Sequence, residues 1–139
     1  MNQIELHLPN SLGYEKVAME SAAATARLAG FSEDRIEDLK TAVGEACINA
    51  IEHGSKNRAT ERLLLTLTVE EDRLLVDVHD KGERYSISGG RPDIGARIAG
   101  KMPSRGWGTF LMKSLVDALE VTSTDEGNTT RMVIFLHRT

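Results

Sequence analysis

A chain of 139 residues, 40% hydrophobic and 27% charged, has the size of one ordinary globular domain and enough apolar material for one core. Its formal net charge of −4 and pI near 5.6 argue against a direct nucleic-acid surface, which needs clustered Lys and Arg to meet phosphates. The single cysteine rules out an intramolecular disulfide and nearly excludes a thiolate metal site.

The start MNQIELHLPN has no basic region followed by an apolar run, and no apolar stretch approaches the roughly 18 residues of a membrane span. The expectation is a cytoplasmic protein with no membrane contact. Aromatics make up 4%, so the core has to be aliphatic and alanine-rich.

QIELHLP alternates Ile4, Leu6 and Leu8 with polar residues, the period of a half-buried strand, and Pro9 ends it. A helix is expected from Ser11 to about Ala29, with Val17, Ser21, Ala24 and Leu28 on one stripe and Gly30 as its stop. A second helix opens at FSEDRI: Ser32 is a good N-cap, Glu33 and Asp34 favour the positive helix start, and Phe31 and Ile36 form a hydrophobic staple. Its apolar stripe runs Ile36, Leu39, Val43, Cys47, Ala50 until Gly54.

After a polar turn, ERLLLTLTVEEDRLLVDVHD reads as two strands joined near Glu70 to Asp72, a hairpin. Regular patterning then stops between Lys81 and Arg105, where five of the twelve glycines and two of the three prolines fall. A segment of that length without regular structure suits a functional lid. A third helix is expected from about Thr109, with Phe110, Leu111, Leu115 and Ala118 inward. A strand follows at Leu119 to Ser123, then a turn DEGN and a last strand with Met132, Ile134 and Leu136 facing one way. The order β-α-α-β-β-lid-α-β-β over residues 1–139 predicts a single α+β domain. It is a two-layer α/β sandwich with a mixed, mainly antiparallel sheet and helices on one face.

Three constellations carry chemistry. Glu45, Asn49 and His53 follow one another at four-residue steps, with Glu45 and Asn49 off the apolar stripe and Ala42 and Ala46 beside the amide. An amide oxygen suits Mg²⁺, which usually keeps waters and takes phosphates as its other partners, and a carboxylate one turn earlier can accept a proton. The same spacing also describes the wet face of a surface helix.

In the strand Leu74 to Asp80, Asp80 shares a face with Leu74, Val76 and Val78. A carboxylate on the core side of a strand end can accept a hydrogen bond from an exocyclic amine such as adenine N6, with Gly82 permitting a flat ring to approach. A turn-initiating aspartate in HDKG is the plainer explanation. Finally, Gly106 and Gly108 in SRGWGTFLMKSL precede a helix whose first N–H groups can face a phosphate, and Arg105 adjoins them. Lys101, Arg97 and Arg91 are further basic candidates nearby.

EACINAIEH at Glu45 to His53, DKG at Asp80 to Gly82 and GWGTFL at Gly106 to Leu111 resemble the N, G1 and G2 boxes of the ATPase superfamily of gyrase, Hsp90, histidine kinases and MutL. In NTTRMVIFL, Thr130 resembles the threonine that reaches the adenine pocket. Nearly the whole chain is similar to the short bacterial anti-sigma-factor serine/threonine kinases.

That resemblance implies Glu45 as general base, Asn49 as the Mg²⁺ ligand and Asp80 as reader of the adenine amine. It implies Gly82, Arg105, Gly106, Gly108, Thr109 and Thr130 around ATP. It also implies transfer of the γ-phosphoryl group to a small antagonist protein, sequestration of a sigma factor, and a homodimer. Asn128 and Thr129 depart from the pattern, standing where glycine usually precedes the last-strand threonine. A histidine kinase would need a phosphoacceptor helix that this chain does not contain, and gyrase-, MutL- or Hsp90-type machines need a transducer domain. The remaining alternatives are a non-catalytic ATP-binding partner-switch module and a small signalling ATPase.

Overall fold

Five strands and three helices follow the expected order in the computed structural model, which describes residues 2–54, 61–82 and 105–137, with the backbone path alone for 53–54 and 105–109. The elements are β1 (Asn2–Pro9), α1 (Glu15–Ala29), α2 (Glu33–Asn49) extended by a π-helical turn (Ala50–Gly54), β2 (Arg62–Val69), β3 (Arg73–Asp80), α3 (Arg105–Leu115), β4 (Ala118–Thr124) and β5 (Gly127–Phe135). The strands form one sheet in the order β1-β2-β3-β5-β4, and each pairing is antiparallel. Most of the segment expected as a lid, residues 83–104, lies outside the described residues, together with Arg91, Arg97 and Lys101.

Period-two alternation sets the core. Leu63, Leu65 and Leu67 of β2, Leu74, Val76 and Val78 of β3, and Met132 and Ile134 of β5 point to one face and are buried. The helices supply the opposing layer, with α2 packed against both α1 and α3. The expected stripe of α2 is realised: Ile36, Leu39, Val43, Cys47 and Ala50 are all fully buried. Ser32 caps that helix, its Oγ accepting from Arg35 N–H at 3.3 Å. Gly30 ends α1 in the left-handed region at φ 96°. The Phe31 N–H reaches back to the Ala26 carbonyl at 3.1 Å, so Phe31 enters the core as the chain turns.

Two helices differ from expectation. The α1 helix begins at Glu15 rather than Ser11, because a turn through Gly13 (φ 110°) intervenes. Its buried face is Ala18, Ala22, Ala23, Thr25 and Ala26, whereas Val17 is 45% and Leu28 89% exposed. The stripe chosen for its larger apolar groups therefore faces outward. Small side chains line the contact with α2, where Gly44 leaves room for the Met19 side chain: a Cβ placed on Gly44 would stand 2.8 Å from Met19 Sδ. In α3 the helix starts at Arg105, Met112 and Val116 are the buried residues near its C-terminal end, and Leu111 and Ala118 are exposed.

At the far end of the helical layer, Arg35 Nη2 meets Asp117 Oδ2 at 2.5 Å with both side chains largely buried. The same Asp117 oxygen accepts from Phe135 N–H at 2.7 Å. This pair ties the start of α2 to the α3–β4 connection and the end of β5.

Candidate active site

The period-two rule that buries Leu74, Val76 and Val78 carries Asp80 inward at the end of β3, where it is fully buried. Its Oδ1 accepts from the Gly82 N–H at 2.8 Å, an Asx-type turn, so the plainer role for this aspartate is present together with its inward aim. In the adjacent strand Val78 faces Thr130 and Asp80 faces Asn128. Thr130 is buried, and among the described residues its Oγ1 has no hydrogen-bond partner. A buried hydroxyl without a partner is costly unless a ligand or water completes it.

Asn49 closes α2 and is only 4% exposed, a buried amide rather than part of a wet helix face. Ala42 and Ala46 are fully buried, so these small residues belong to the packed core rather than to open space beside the amide. The backbone changes to π-helical immediately after Asn49, and the four-residue step from Glu45 to Asn49 does not continue to His53. This wider turn packs against β3 and β5, the strands of Asp80 and Thr130. Glu45, one turn before Asn49, is partly exposed.

Gly106, Gly108 and Thr109 lie within the first turns of α3 rather than ahead of it, and Arg105 is the first helical residue. The helix-start N–H groups, which no intrahelical carbonyl satisfies, therefore come from this glycine-containing stretch. Gly82 lies two residues past the end of β3, partly exposed. The structure thus brings Asn49, Asp80, Gly82 and Thr130 to one end of the sheet. It places Glu45 a turn away on α2 and sets the start of α3 on the helix layer beside α2.

Of three residues that the sequence reading did not assign to a site, Asn128 and Gly127 sit against Asp80 and Ser123 sits behind Asn128. Asn128 Nδ2 donates to Asp80 Oδ1 at 3.1 Å, and Ser123 Oγ meets Asn128 Oδ1 at 2.6 Å. Gly127, at φ 127°, has no room for a side chain: a Cβ would stand 2.0 Å from the Asp80 carbonyl oxygen. Gly127 and Asn128 belong to β5 and not to the preceding turn. A signal for Asn128 was available, since it shares its two-residue period with Thr130, Met132 and Ile134.

The residues fit a purine nucleotide in their chemistry. A buried carboxylate can accept from an amine, and a buried hydroxyl stands on the same face of the next strand, one position diagonal to it. For a metal, no cluster of three or more His, Cys, Asp or Glu side chains exists among the described residues. An amide such as Asn49 suits a hard cation that takes its other ligands from phosphate oxygens and water.

A family model described as the histidine kinase-like ATPase domain matches residues 8–134. Among curated proteins, the chain is 33% identical over 141 residues to the serine-protein kinase RsbW of Bacillus pumilus (strain SAFR-032), covering 97% of this chain and 86% of that protein. It is 34% identical over 139 residues to the serine-protein kinase RsbW of Bacillus licheniformis, with the same coverages of 97% and 86%. The crystal structure of the RsbU and RsbW domains of Rv1364c from Mycobacterium tuberculosis superposes with a TM-score of 0.71 at 16% identity, over 100% of this chain and 34% of that one. That likeness confirms the α+β layering.

Proposed function

Since the chain belongs to the histidine kinase-like ATPase domain family, we propose that it is a serine/threonine protein kinase that transfers the γ-phosphoryl group of ATP to a small antagonist protein and holds a sigma factor inactive. The observation that carries the nucleotide half of this reading is the buried Asp80 together with the Thr130 hydroxyl on the same face, which has no hydrogen-bond partner among the described residues. The kinase half rests on full-length relatives that are serine-protein kinases.

Asp80 accepts from the adenine 6-amino group and so rejects a base with an oxygen at that position, because two acceptors would face one another. The Thr130 hydroxyl completes its hydrogen bonding on the base edge. Asn49 would hold Mg²⁺ through its amide oxygen, and the cation would supply charge neutralisation at the phosphates. Gly82, Gly106, Gly108 and Thr109 let backbone N–H groups approach the nucleotide, and Arg105 adds a cation beside them. Glu45 takes the proton from the attacking hydroxyl of the antagonist as that oxygen bonds to the γ-phosphorus, the bond from phosphorus to the β,γ-bridging oxygen breaks and ADP leaves.

The outward stripe of α1, Val17, Ala24 and Leu28, supports a homodimer, as does Ile4, 42% exposed on the helix-covered face of edge strand β1. A second copy would cover both. None of the described helices is long and apolar enough to cross a membrane. The reading takes the cytoplasm as the place of action, with no membrane or nucleic-acid contact of its own.

The test combines calorimetry with γ-labelled ATP and candidate small partner proteins. Asp80→Asn is expected to weaken ATP binding roughly 10- to 100-fold, the worth of a hydrogen bond to a charged group. Glu45→Ala is expected to keep binding and lower transfer roughly 10²- to 10⁴-fold. Unchanged affinity in the first variant would remove the adenine assignment. Hydrolysis without a labelled partner would mark a signalling ATPase, and binding without turnover a pure switch module.

A further inference from the structure

Asp80, Asn128 and Ser123 stand directly opposite one another across three neighbouring strands. Asp80 of β3 pairs with Asn128 of β5, and Asn128 pairs with Ser123 of β4. Asn128 is fully buried. Its side chain bridges the row, with Nδ2 to Asp80 Oδ1 at 3.1 Å and Oδ1 to Ser123 Oγ at 2.6 Å. A carboxylate only accepts, so the amide must turn its NH₂ toward Asp80, and its oxygen then takes the Ser123 hydroxyl proton. Oδ1 of Asp80 is thereby held from two sides, by Asn128 and by the Gly82 N–H at 2.8 Å.

Two donors on one oxygen stop the carboxylate from rotating about its Cβ–Cγ bond. The direction of its second oxygen is then fixed by the protein before any base arrives. The glycine at 127 is what lets this row close, since any Cβ there would collide with the Asp80 carbonyl.

We propose that Asn128, oriented by Ser123, is a positioning residue for base recognition: it presets the Asp80 carboxylate as an acceptor for the 6-amino group and so sets the preference for an aminopurine nucleotide. This rests on the reading that Asp80 meets the base. A residue with a merely structural role would change affinity for all nucleotides alike. A positioning residue changes the ratio between a nucleotide with the 6-amino group and one without it.

The experiment is calorimetric titration of the full chain with ATP and with purine riboside 5′-triphosphate, which lacks only that amine. Wild-type protein, Asn128→Ala and Ser123→Ala are compared, each checked for folding by circular dichroism. Wild-type protein is expected to prefer ATP roughly 10- to 100-fold. The preference should fall to a few-fold in Asn128→Ala and to an intermediate value in Ser123→Ala, while affinity for the analogue changes little. An unaltered preference in a folded Asn128→Ala protein, or equal losses for both nucleotides, overturns the proposal. Should Asn128→Ala not fold, Ser123→Ala decides alone: a reduced preference supports the assignment, and an unchanged one overturns it. A wild-type protein without preference defeats the reading of Asp80 itself, a result distinct from failure of the Asn128 role.

Discussion

Cys47 sits one turn before Ile51 and two residues before Asn49, fully buried in the middle of the core. Burial pushes its thiol up from an ordinary 9.0 to about 12, with a smaller contribution from the negative charge of Glu15. Because the folded value lies above the unfolded one, the thiol's contribution to stability is constant below about pH 9 and is lost as pH rises from there through about 12. At pH 8 the native protein is therefore expected to resist a disulfide reagent such as dithionitrobenzoate. It should react with one equivalent once unfolded in guanidinium. Fast labelling of native protein would show that the α2 core opens far more readily than its packing indicates.

Residue-level legibility followed the same physics. Asp80 could be found because a strict two-residue period left no other face for it, and Asn49 because an amide one turn from a carboxylate is unusual in a core helix. Asn128 escapes because the turn DEGN and the departure from the family's glycine both set it outside the strand period it shares with Thr130, and its partner Asp80 lies 48 residues away in the chain.

Among the elements, α2 carries the most constraints. Its start is fixed by Ser32 and by Arg35, its middle by α1, and its end passes into the π-helical turn against β3 and β5. The Arg35–Asp117 pair is largely withdrawn from water, with side chains 15% and 12% exposed. Asp117→Ala would leave the guanidinium without its counter-charge and is expected to cost about 3 kcal/mol, read from urea unfolding. Asp117→Asn retains an acceptor for the Phe135 N–H and should cost about half as much. Equal losses in the two variants would mean that the whole cost lies in the lost charge and that the retained acceptor adds nothing.

The α1 helix shows where element-level reading reaches its limit. An alanine-rich sequence offers several stripes, and a preference for bulky residues selects Val17 and Leu28. Packing beside Gly44 requires instead the thinnest face, Ala18, Ala22 and Ala26. Nothing in α1 alone specifies how near its neighbour lies.

At the scale of the whole molecule, the element order was legible from periodicity and the layering from the grouping of helices and strands. The strand order was not, because β1 pairs with a strand some sixty residues later and β5 inserts between β3 and β4. The outward stripe of α1 belongs to this scale as well. Leu28→Glu together with Val17→Glu is expected to convert a dimer to a monomer in sedimentation, with ATP affinity unchanged. A wild-type chain that sediments as a monomer at tens of micromolar would remove the homodimer from the reading.

The insertion of β5 has a consequence for how the protein is made. A nascent chain that has emerged through β3 and β4 already holds Asn49 and Asp80, but the row through Asn128 and the hydroxyl of Thr130 arrive only with residues 127–135. Until that strand slides between its two neighbours, β3 and β4 have no contact along the sheet. Translation thus imposes an order on competence. On the proposed function, the amide that would hold the metal is in place early, the wall that would read the base is completed afterwards, and a chain stopped short of residue 127 has no finished site for ATP.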